Sequence, residues 1–193
     1  MIFCGENYHI AQEAFPRELL LPEKQPAHCY FDTMRGWQEF ISRTPLEYWE
    51  WIRACSEEAA EIEIAELIKR AASGKKVIVD TNIPLPLLRE ISDYNRIAIM
   101  LTKPEISSEH FFNRNDEEKQ FIFKQIQLSE DPEKTMVNYK ECIRFINTQT
   151  FEEYHNSGLF TLMRELINVD TLDATTEMLA AHFHLFSHTS SSE

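Results

Sequence analysis

The residue best placed to do chemistry is Asp80, which directly follows the apolar run Val77–Val79. Three β-branched residues in a row do not suit one face of an amphipathic helix, so they predict a short strand buried on both sides. Gly74, just before the run, can end a preceding helix in the left-handed conformation. Ligands of open α/β sheets bind at the carboxyl ends of strands, where an acid can help to hold Mg²⁺. The alternative interpretation is an ordinary buried strand that ends in a turn-forming Asp.

A long helix is predicted before this strand. Thr44 is a good N-cap, Pro45 suits the first helical position, and Glu47 completes a capping box. We expect the helix to reach about Ala72. Five acidic residues are expected on its solvated flank: Glu57, Glu58, Glu61, Glu63 and Glu66.

Helices and strands alternate along the chain. Besides Val77–Asp80, strands are predicted at Met1–Cys4, Arg96–Leu101 and Phe160–Met163. The later helices are predicted at 84–92, 104–112, 116–128, 131–147 and 171–183, with a separate helical turn at 151–156. This alternation predicts an α/β fold with one parallel sheet of about four strands and helices on both faces.

The composition limits the classes of partner. The 193 residues carry a net charge of −13, so no basic excess is present to displace the counterions of a nucleic acid. The four cysteines form no CxxC pair, which argues against a zinc site and suits a reducing compartment. No signal peptide is visible, and no apolar run reaches the ~20 residues of a membrane-spanning helix. We therefore expect a cytoplasmic protein whose partner is a small-molecule substrate, with neither nucleic acid nor membrane as a partner.

The order of these elements resembles the P-loop kinases that act on nucleosides and nucleotides. The segments that carry the resemblance are Glu6-Asn7-Tyr8, Tyr30-Phe31-Asp32, Val77–Asp80, Asn113–Asp116 and Ser157–Phe160. They stand where that family has an acidic and aromatic substrate loop, a substrate-side helix, a Walker B-like strand, an Arg-bearing lid and a closing segment. The resemblance implies a P-loop NTPase-like α/β/α fold and phosphoryl transfer from ATP, with Mg²⁺, to a small nucleoside- or nucleotide-like substrate.

The resemblance also gives roles to individual residues. Asp80 would bind the metal ion. Glu6 would accept the proton of a substrate hydroxyl as general base, unless it is only an acid of a solvent-facing loop. Asp32 would bind a substrate hydroxyl or act with Glu6, unless it only caps the helix that follows it. Arg114 would bind the nucleotide and clamp the transferred phosphate, unless it is a surface residue at a helix break. Arg35 would reach a substrate phosphate.

The segment that contains Arg114 is predicted to be a mobile lid over about residues 104–128. The polar run Asn113–Asp116 breaks a helical region directly after an apolar strand. Lids are drawn from regions of low local stability, so this placement suits a segment that closes over a substrate.

One departure from the family is serious. The G-x-x-x-x-G-K-[ST] segment, whose backbone amides cradle phosphates, does not occur in the sequence. The Gly74-Lys75 step precedes its strand and therefore lies on the wrong side of it. Met1 then corresponds to an internal position of the family, after its first strand, phosphate loop and first helix. Two hypotheses remain open: a kinase that is incomplete in this chain, and a non-catalytic binding or structural protein on a degenerate P-loop fold.

The expected domain organisation is simple. Residues 1–186 should form a single P-loop kinase-like domain, and residues 187–193 a disordered polar tail. Met1–Cys4 should lie beside the Val77–Asp80 strand or beside the missing neighbour. A sheet that lacks its separating strand keeps an open edge, and open edges pair with other chains. The sequence therefore predicts a homo-oligomer or poor solubility.

Overall fold

The structure is a computed structural model of the chain and describes residues 2–3, 20–109, 111–112, 116–164 and 172–185. The described helices are α1 (Tyr30–Thr33), α2 (Trp37–Ile41), α3 (Pro45–Ala71), α4 (Leu85–Ile91), α5 (Pro104–Glu109), α6 (Glu117–Gln127), α7 (Pro132–His155) and α8 (Leu172–His182). The described strands are β1 (Ile2–Phe3), β2 (Ile78–Val79), β3 (Ala98–Thr102) and β4 (Phe160–Arg164). Within these ranges, no helix combines the length and the apolar character needed to cross a membrane.

The four strands lie close to their predicted places, but they do not form one sheet. β1 pairs in parallel with β2, and β3 pairs in parallel with β4. The predicted sheet of about four strands in a three-layer α/β/α fold is therefore wrong: the described chain is mostly helical and holds two separate two-stranded sheets. An apolar run determines that a strand forms, whereas its neighbours depend on which strand edges the tertiary packing brings together.

The pairing of β1 with β2 confirms one strand prediction and corrects another. Ile2 lies opposite Ile78 and Phe3 lies opposite Val79, so the first strand does lie beside the Val77–Asp80 run. The expectation that this run is buried on both sides is wrong, because Ile78 is 38% exposed. A two-stranded sheet offers each strand a single neighbour, so it covers its strands less well than a wide parallel sheet does.

α3 begins as its sequence predicts. The Thr44 hydroxyl accepts a hydrogen bond from the backbone N–H of Glu47, and the Glu47 carboxylate accepts one from the backbone N–H of Thr44 at 2.8 Å. This capping box satisfies two backbone donors that the first helical turn leaves free, and caps of this kind contribute about 1 kcal/mol. After the helix, Gly74 has φ +73°, a left-handed conformation that favours glycine.

The main described core lies where α3 and α7 pack together with α2 and α6. Its buried residues are Phe40, Ile41, Tyr48, Ile126, Tyr139, Cys142 and Ile143. The hydroxyl groups of Tyr48 on α3 and Tyr139 on α7 form a buried hydrogen bond of 2.9 Å between the two helices. Because each hydroxyl satisfies the other, the pair adds aromatic packing without an unpaired polar group.

α7 is one continuous helix from Pro132 to His155, whereas the sequence predicts an end near Asn147 and a separate turn afterwards. No glycine or proline occurs between Asn147 and Phe151, so nothing in the backbone forces a break. Phe151 and Tyr154 pack against the second hydrophobic cluster, which contains the β3 residues Ile99 and Leu101. Tertiary packing at its end therefore extends the helix.

His182 connects α8 to the β3–β4 pair. Its Nε2 lies 3.0 Å from the carbonyl oxygen of Ile97, to which it donates a hydrogen bond. Its ring stacks on Phe160, with 4.0 Å between the ring centroids. His182 is half-buried, and these contacts hold the last described helix against the strands.

Removal of the Ile126 side chain should test the main core. Ile126 is fully buried, so Ile126→Ala should leave a cavity and lower the free energy of unfolding by about 2–5 kcal/mol. Leu128, two residues later, is 66% exposed, and Leu128→Ala should change that energy by less than about 0.5 kcal/mol. Urea unfolding of both variants measures the difference. Equal losses in the two variants would contradict this assignment of the core.

Candidate functional site

The described residues with predicted roles lie at exposed positions. Asp80 directly follows β2 and is exposed. Asp32 is exposed on α1, and it does not cap the next helix, because the N-cap of α2 is Gly36. Arg35 forms an exposed ion pair with Glu39, with 3.2 Å between Nε and Oε2. The structure therefore leaves Asp80 and Asp32 accessible to a ligand.

Glu6 and Arg114 lie outside the described residues, as do positions 113–115 of the predicted lid and the predicted tail at 187–193. The roles of both residues remain predictions. α5 and α6 occupy the helical parts of the predicted lid on either side of these positions.

Glu63 on α3 adds a second carboxyl group close to Asp80. It follows Ala59 by four residues and Ala60 by three, so all three share one face of the helix. All three are buried, and Glu63 is 0% exposed. The charge of Asp80 and the side chain of Thr81 both act on the Glu63 carboxyl group. The packing of α3 therefore brings a buried acid to the carboxyl end of β2.

The carboxyl group of Glu63 is not satisfied by the described chain. Neither of its oxygens has a partner with the geometry of a hydrogen bond among the described residues. The Thr81 side chain interacts with the carboxyl group more loosely, and its Oγ1 accepts a hydrogen bond from the backbone N–H of Ile83 at 3.0 Å. Buried polar groups are nearly always paired, and an unpaired one often marks a catalytic role or a bound ion.

The environment of Glu63 changes its acidity. Burial raises the pKa of the Glu63 carboxyl group, the Thr81 side chain lowers it, the Asp80 charge raises it, and the result is a pKa of about 7. Burial has the largest effect because a charged carboxylate loses its hydration inside the protein. At neutral pH this acid therefore takes both its neutral and its charged form, as a group that exchanges protons during catalysis must do.

The chemistry of these three residues fits a hard divalent cation. Asp80 and Glu63 offer carboxylate oxygens and Thr81 offers a hydroxyl, which are the ligand types that Mg²⁺ takes in proteins. In the part of the chain that the structure describes, no group of three His, Cys, Asp or Glu side chains comes together that could hold a metal ion. A cation at this place would therefore take its other ligands from water or substrate, as Mg²⁺ commonly does.

Sequence reasoning misplaced three glutamates of α3, and one of them is Glu66, whose side chain is 12% exposed and pairs with Lys69 and Arg70. The prediction of a solvated flank is wrong for Glu63 and for Glu58, whose carboxylate accepts bonds from the backbone N–H groups of Ala27 and His28 at 2.8 and 2.9 Å. The same carboxylate also bonds Nδ1 of His28 at 2.8 Å. For Glu63 the sequence did hold a signal, because its spacing from Ala59 and Ala60 places it on their face of the helix.

Comparison with known proteins adds no relative. No protein family, no curated protein and no solved structure matches this chain.

The raised pKa of Glu63 predicts how the stability depends on pH. A carboxyl group with a pKa of 4.5 in the unfolded chain and about 7 in the folded chain binds its proton more tightly when folded. Its contribution is therefore fully present below about pH 4.5 and is lost as the pH rises through about 7, a difference of about 3 kcal/mol. Glu63→Gln should remove this dependence. Urea unfolding at several pH values measures the effect. As the pH rises, the free energy of unfolding of Glu63→Gln should increase relative to that of the native chain.

Glu66 provides the matched control on the same helix. Its pKa is lowered by the hydrogen bonds that it accepts from Lys69 and Arg70, so its contribution has the opposite sign and is lost as the pH falls. Glu66→Gln should therefore leave the loss of stability between about pH 4.5 and 7 in place. Parallel pH profiles for the native chain and Glu63→Gln would show that Glu63 is not the responsible group.

Proposed function

We propose that this chain provides the metal-binding and acidic half of a phosphoryl-transfer site, and that it is a small-molecule phosphotransferase similar to P-loop kinases. The observation that carries the proposal is the unsatisfied Glu63 carboxyl group beside Asp80 at the carboxyl end of β2. Two neighbouring acids repel when both are charged, and a divalent cation relieves this repulsion.

Asp80 is the direct ligand in this proposal, because its exposed carboxylate can be reached from solvent. Glu63 is the buried second acid, and it releases its proton when the cation binds. Bound Mg²⁺ neutralises charge on phosphate oxygens. In this proposal Asp32 binds the substrate hydroxyl, Glu6 accepts its proton, and Arg114 holds the transferred phosphate.

The donor half of the site does not fit the residues present. A triphosphate needs backbone amides and a lysine around its phosphates, and the sequence holds no G-x-x-x-x-G-K-[ST] segment. The net charge of −13 gives no long-range attraction for ATP. We therefore expect this chain alone to bind Mg·ATP only in the millimolar range or more weakly, about −4 kcal/mol, and not to turn it over.

The second candidate function is that of a non-catalytic binding or structural protein. The absence of a phosphate loop from the sequence favours it, because a chain that cannot hold a triphosphate needs no catalytic residues. Under this alternative, Asp80 is a turn residue and Glu63 an acid that stays protonated inside the protein. The two candidates differ in whether a divalent cation binds with release of a proton from Glu63.

Calorimetric titration with Mg²⁺ in buffers of different ionisation enthalpy tests the proposal. The native chain should release part of a proton on binding near pH 7, because a cation favours the charged form of Glu63. Its affinity for Mg²⁺ should rise by up to about tenfold from pH 6 to pH 8, because at the higher pH the Glu63 carboxyl group is already deprotonated before the cation binds. Glu63→Gln should bind Mg²⁺ without this proton release.

Asp80→Asn should abolish Mg²⁺ binding, since the amide keeps the shape of the side chain and removes its charge. Asp93→Asn is the matched control, because Asp93 is also an exposed acid and its ion pair with Arg96 is long, at 3.8 Å. That control should bind Mg²⁺ like the native chain. Binding that survives Asp80→Asn, or the absence of binding by the native chain, would overturn the proposal in favour of the non-catalytic alternative.

A further inference from the structure

Arg43 lies in a second, separate part of the molecule, in the turn between α2 and α3. It lines a cavity of about 470 Å³. The residues that line the cavity are Tyr30, Glu39, Ser42, Arg43, Glu47 and Glu50. None of them belongs to the Asp80 site, so a ligand of this cavity is independent of the proposed function.

The guanidinium group of Arg43 is surrounded by aromatic rings. Its central carbon lies 3.9 Å from the ring centroid of Tyr30, 5.1 Å from that of Trp51 and 5.2 Å from that of Phe40. The backbone of Arg43 is held as well, because its carbonyl oxygen accepts a hydrogen bond from Nδ2 of Asn138 on α7 at 2.8 Å. Cation–π contacts and this backbone bond fix the cation in place before any ligand arrives.

The charge of Arg43 is not neutralised by a direct ion pair with any described carboxylate. Its Nη1 is buried and has no hydrogen-bond acceptor among the described residues. The ion pairs between described residues use other basic side chains, and Glu39 is already paired with Arg35. A buried guanidinium N–H that lacks an acceptor is costly. Arg43 also lines the cavity, where its guanidinium group suits the oxygens of an anionic ligand group.

The other charges of the cavity point to a ligand that also carries a cation. Three carboxylates, Glu39, Glu47 and Glu50, line the same space. The hydrogen bonds that Glu47 accepts from Thr44 lower the pKa of its carboxyl group, and the charge of Arg43 lowers that pKa further. A purely anionic ligand would be repelled by these acids, and a purely cationic one by Arg43. Glu50 lines the cavity and is exposed, so it can receive a cation from solvent.

We propose that this cavity binds a small zwitterion, with the anionic group of the ligand on Arg43 and its ammonium group on Glu50. The aromatic ring of Tyr30 forms one wall, and the Ser42 hydroxyl contributes a further polar group. A carboxylate and a phosphate monoester present the same kind of acceptor to a guanidinium group, so amino acids and amino-alkyl phosphates share the required chemistry.

Calorimetric titration with four small molecules tests the ligand class. 5-Aminopentanoate and phosphoethanolamine are the probes with charges of both signs, one with a carboxylate and one with a phosphate. Cadaverine and glutarate carry charges of a single sign. At least one zwitterion should bind at least about tenfold more tightly than both single-sign compounds, because only a zwitterion satisfies both ends of the cavity. Comparison of the two zwitterions identifies the preferred anion.

Variants of the chain test the residues. Arg43→Gln should weaken zwitterion binding by at least about tenfold, and Glu50→Gln should weaken it by a smaller factor. Arg53→Gln is the matched control, because Arg53 is an exposed arginine of α3 whose ion pair with Glu57 lies outside the cavity. That control should bind like the native chain. Melting curves establish which variants fold.

Two results would overturn the proposal. One is that neither zwitterion binds more tightly than cadaverine and glutarate. The other is that zwitterion affinity stays at the native level in Glu50→Gln and in every folded Arg43 variant. Arg43→Lys keeps the charge and loses the planar donor group, so it replaces Arg43→Gln if loss of the cation prevents folding, and it should also weaken binding.

Discussion

The packing of α3 against α7 is the constraint on which the other described features depend. The buried Tyr48–Tyr139 hydrogen bond joins the two helices inside the main hydrophobic cluster. The same contact anchors the backbone of Arg43 through Asn138. Farther along α3, Glu63 is carried to the carboxyl end of β2. One long helix of 27 residues therefore positions both candidate sites, and a stable helix–helix core keeps them in place.

Both sites contain a charged or ionisable group that the described protein leaves without a full set of partners. Glu63 has two unsatisfied carboxyl oxygens and Arg43 has one unsatisfied N–H group. Such groups reduce stability, since burial removes their hydration and the described contacts replace it only in part. Glu63 can lower this cost by binding a proton, which its raised pKa reflects. Arg43 cannot, because a guanidinium group stays charged in proteins, so it is stabilised by the aromatic rings around it, by the Tyr30 hydroxyl and by the charge of Glu47.

The strands show that local sequence predicts where a strand forms but not which strand it pairs with. The runs Val77–Val79 and Arg96–Leu101 lead to β2 and β3, because β-branched and apolar residues favour extended backbone over most helical faces. The pairing is a different matter, since β2 lies beside β1 while β3 lies beside β4. An apolar run of two to five residues does not specify which strand it pairs with. Strand order is decided by the packing of distant helices.

The sequence by itself determined the local features whose causes lie within a few residues. These include the start of α3, where Thr44, Pro45 and Glu47 interact directly, and the left-handed Gly74 that follows the helix. It also determined that an acid, Asp80, follows a strand. Only the tertiary structure decided that Glu63 is buried beside that acid and that Arg43 is enclosed by aromatic rings, because these environments are built by residues far apart in the chain. Burial sets the pKa of a carboxyl group and the exposure of a cation, and it depends on contacts that local spacing does not specify.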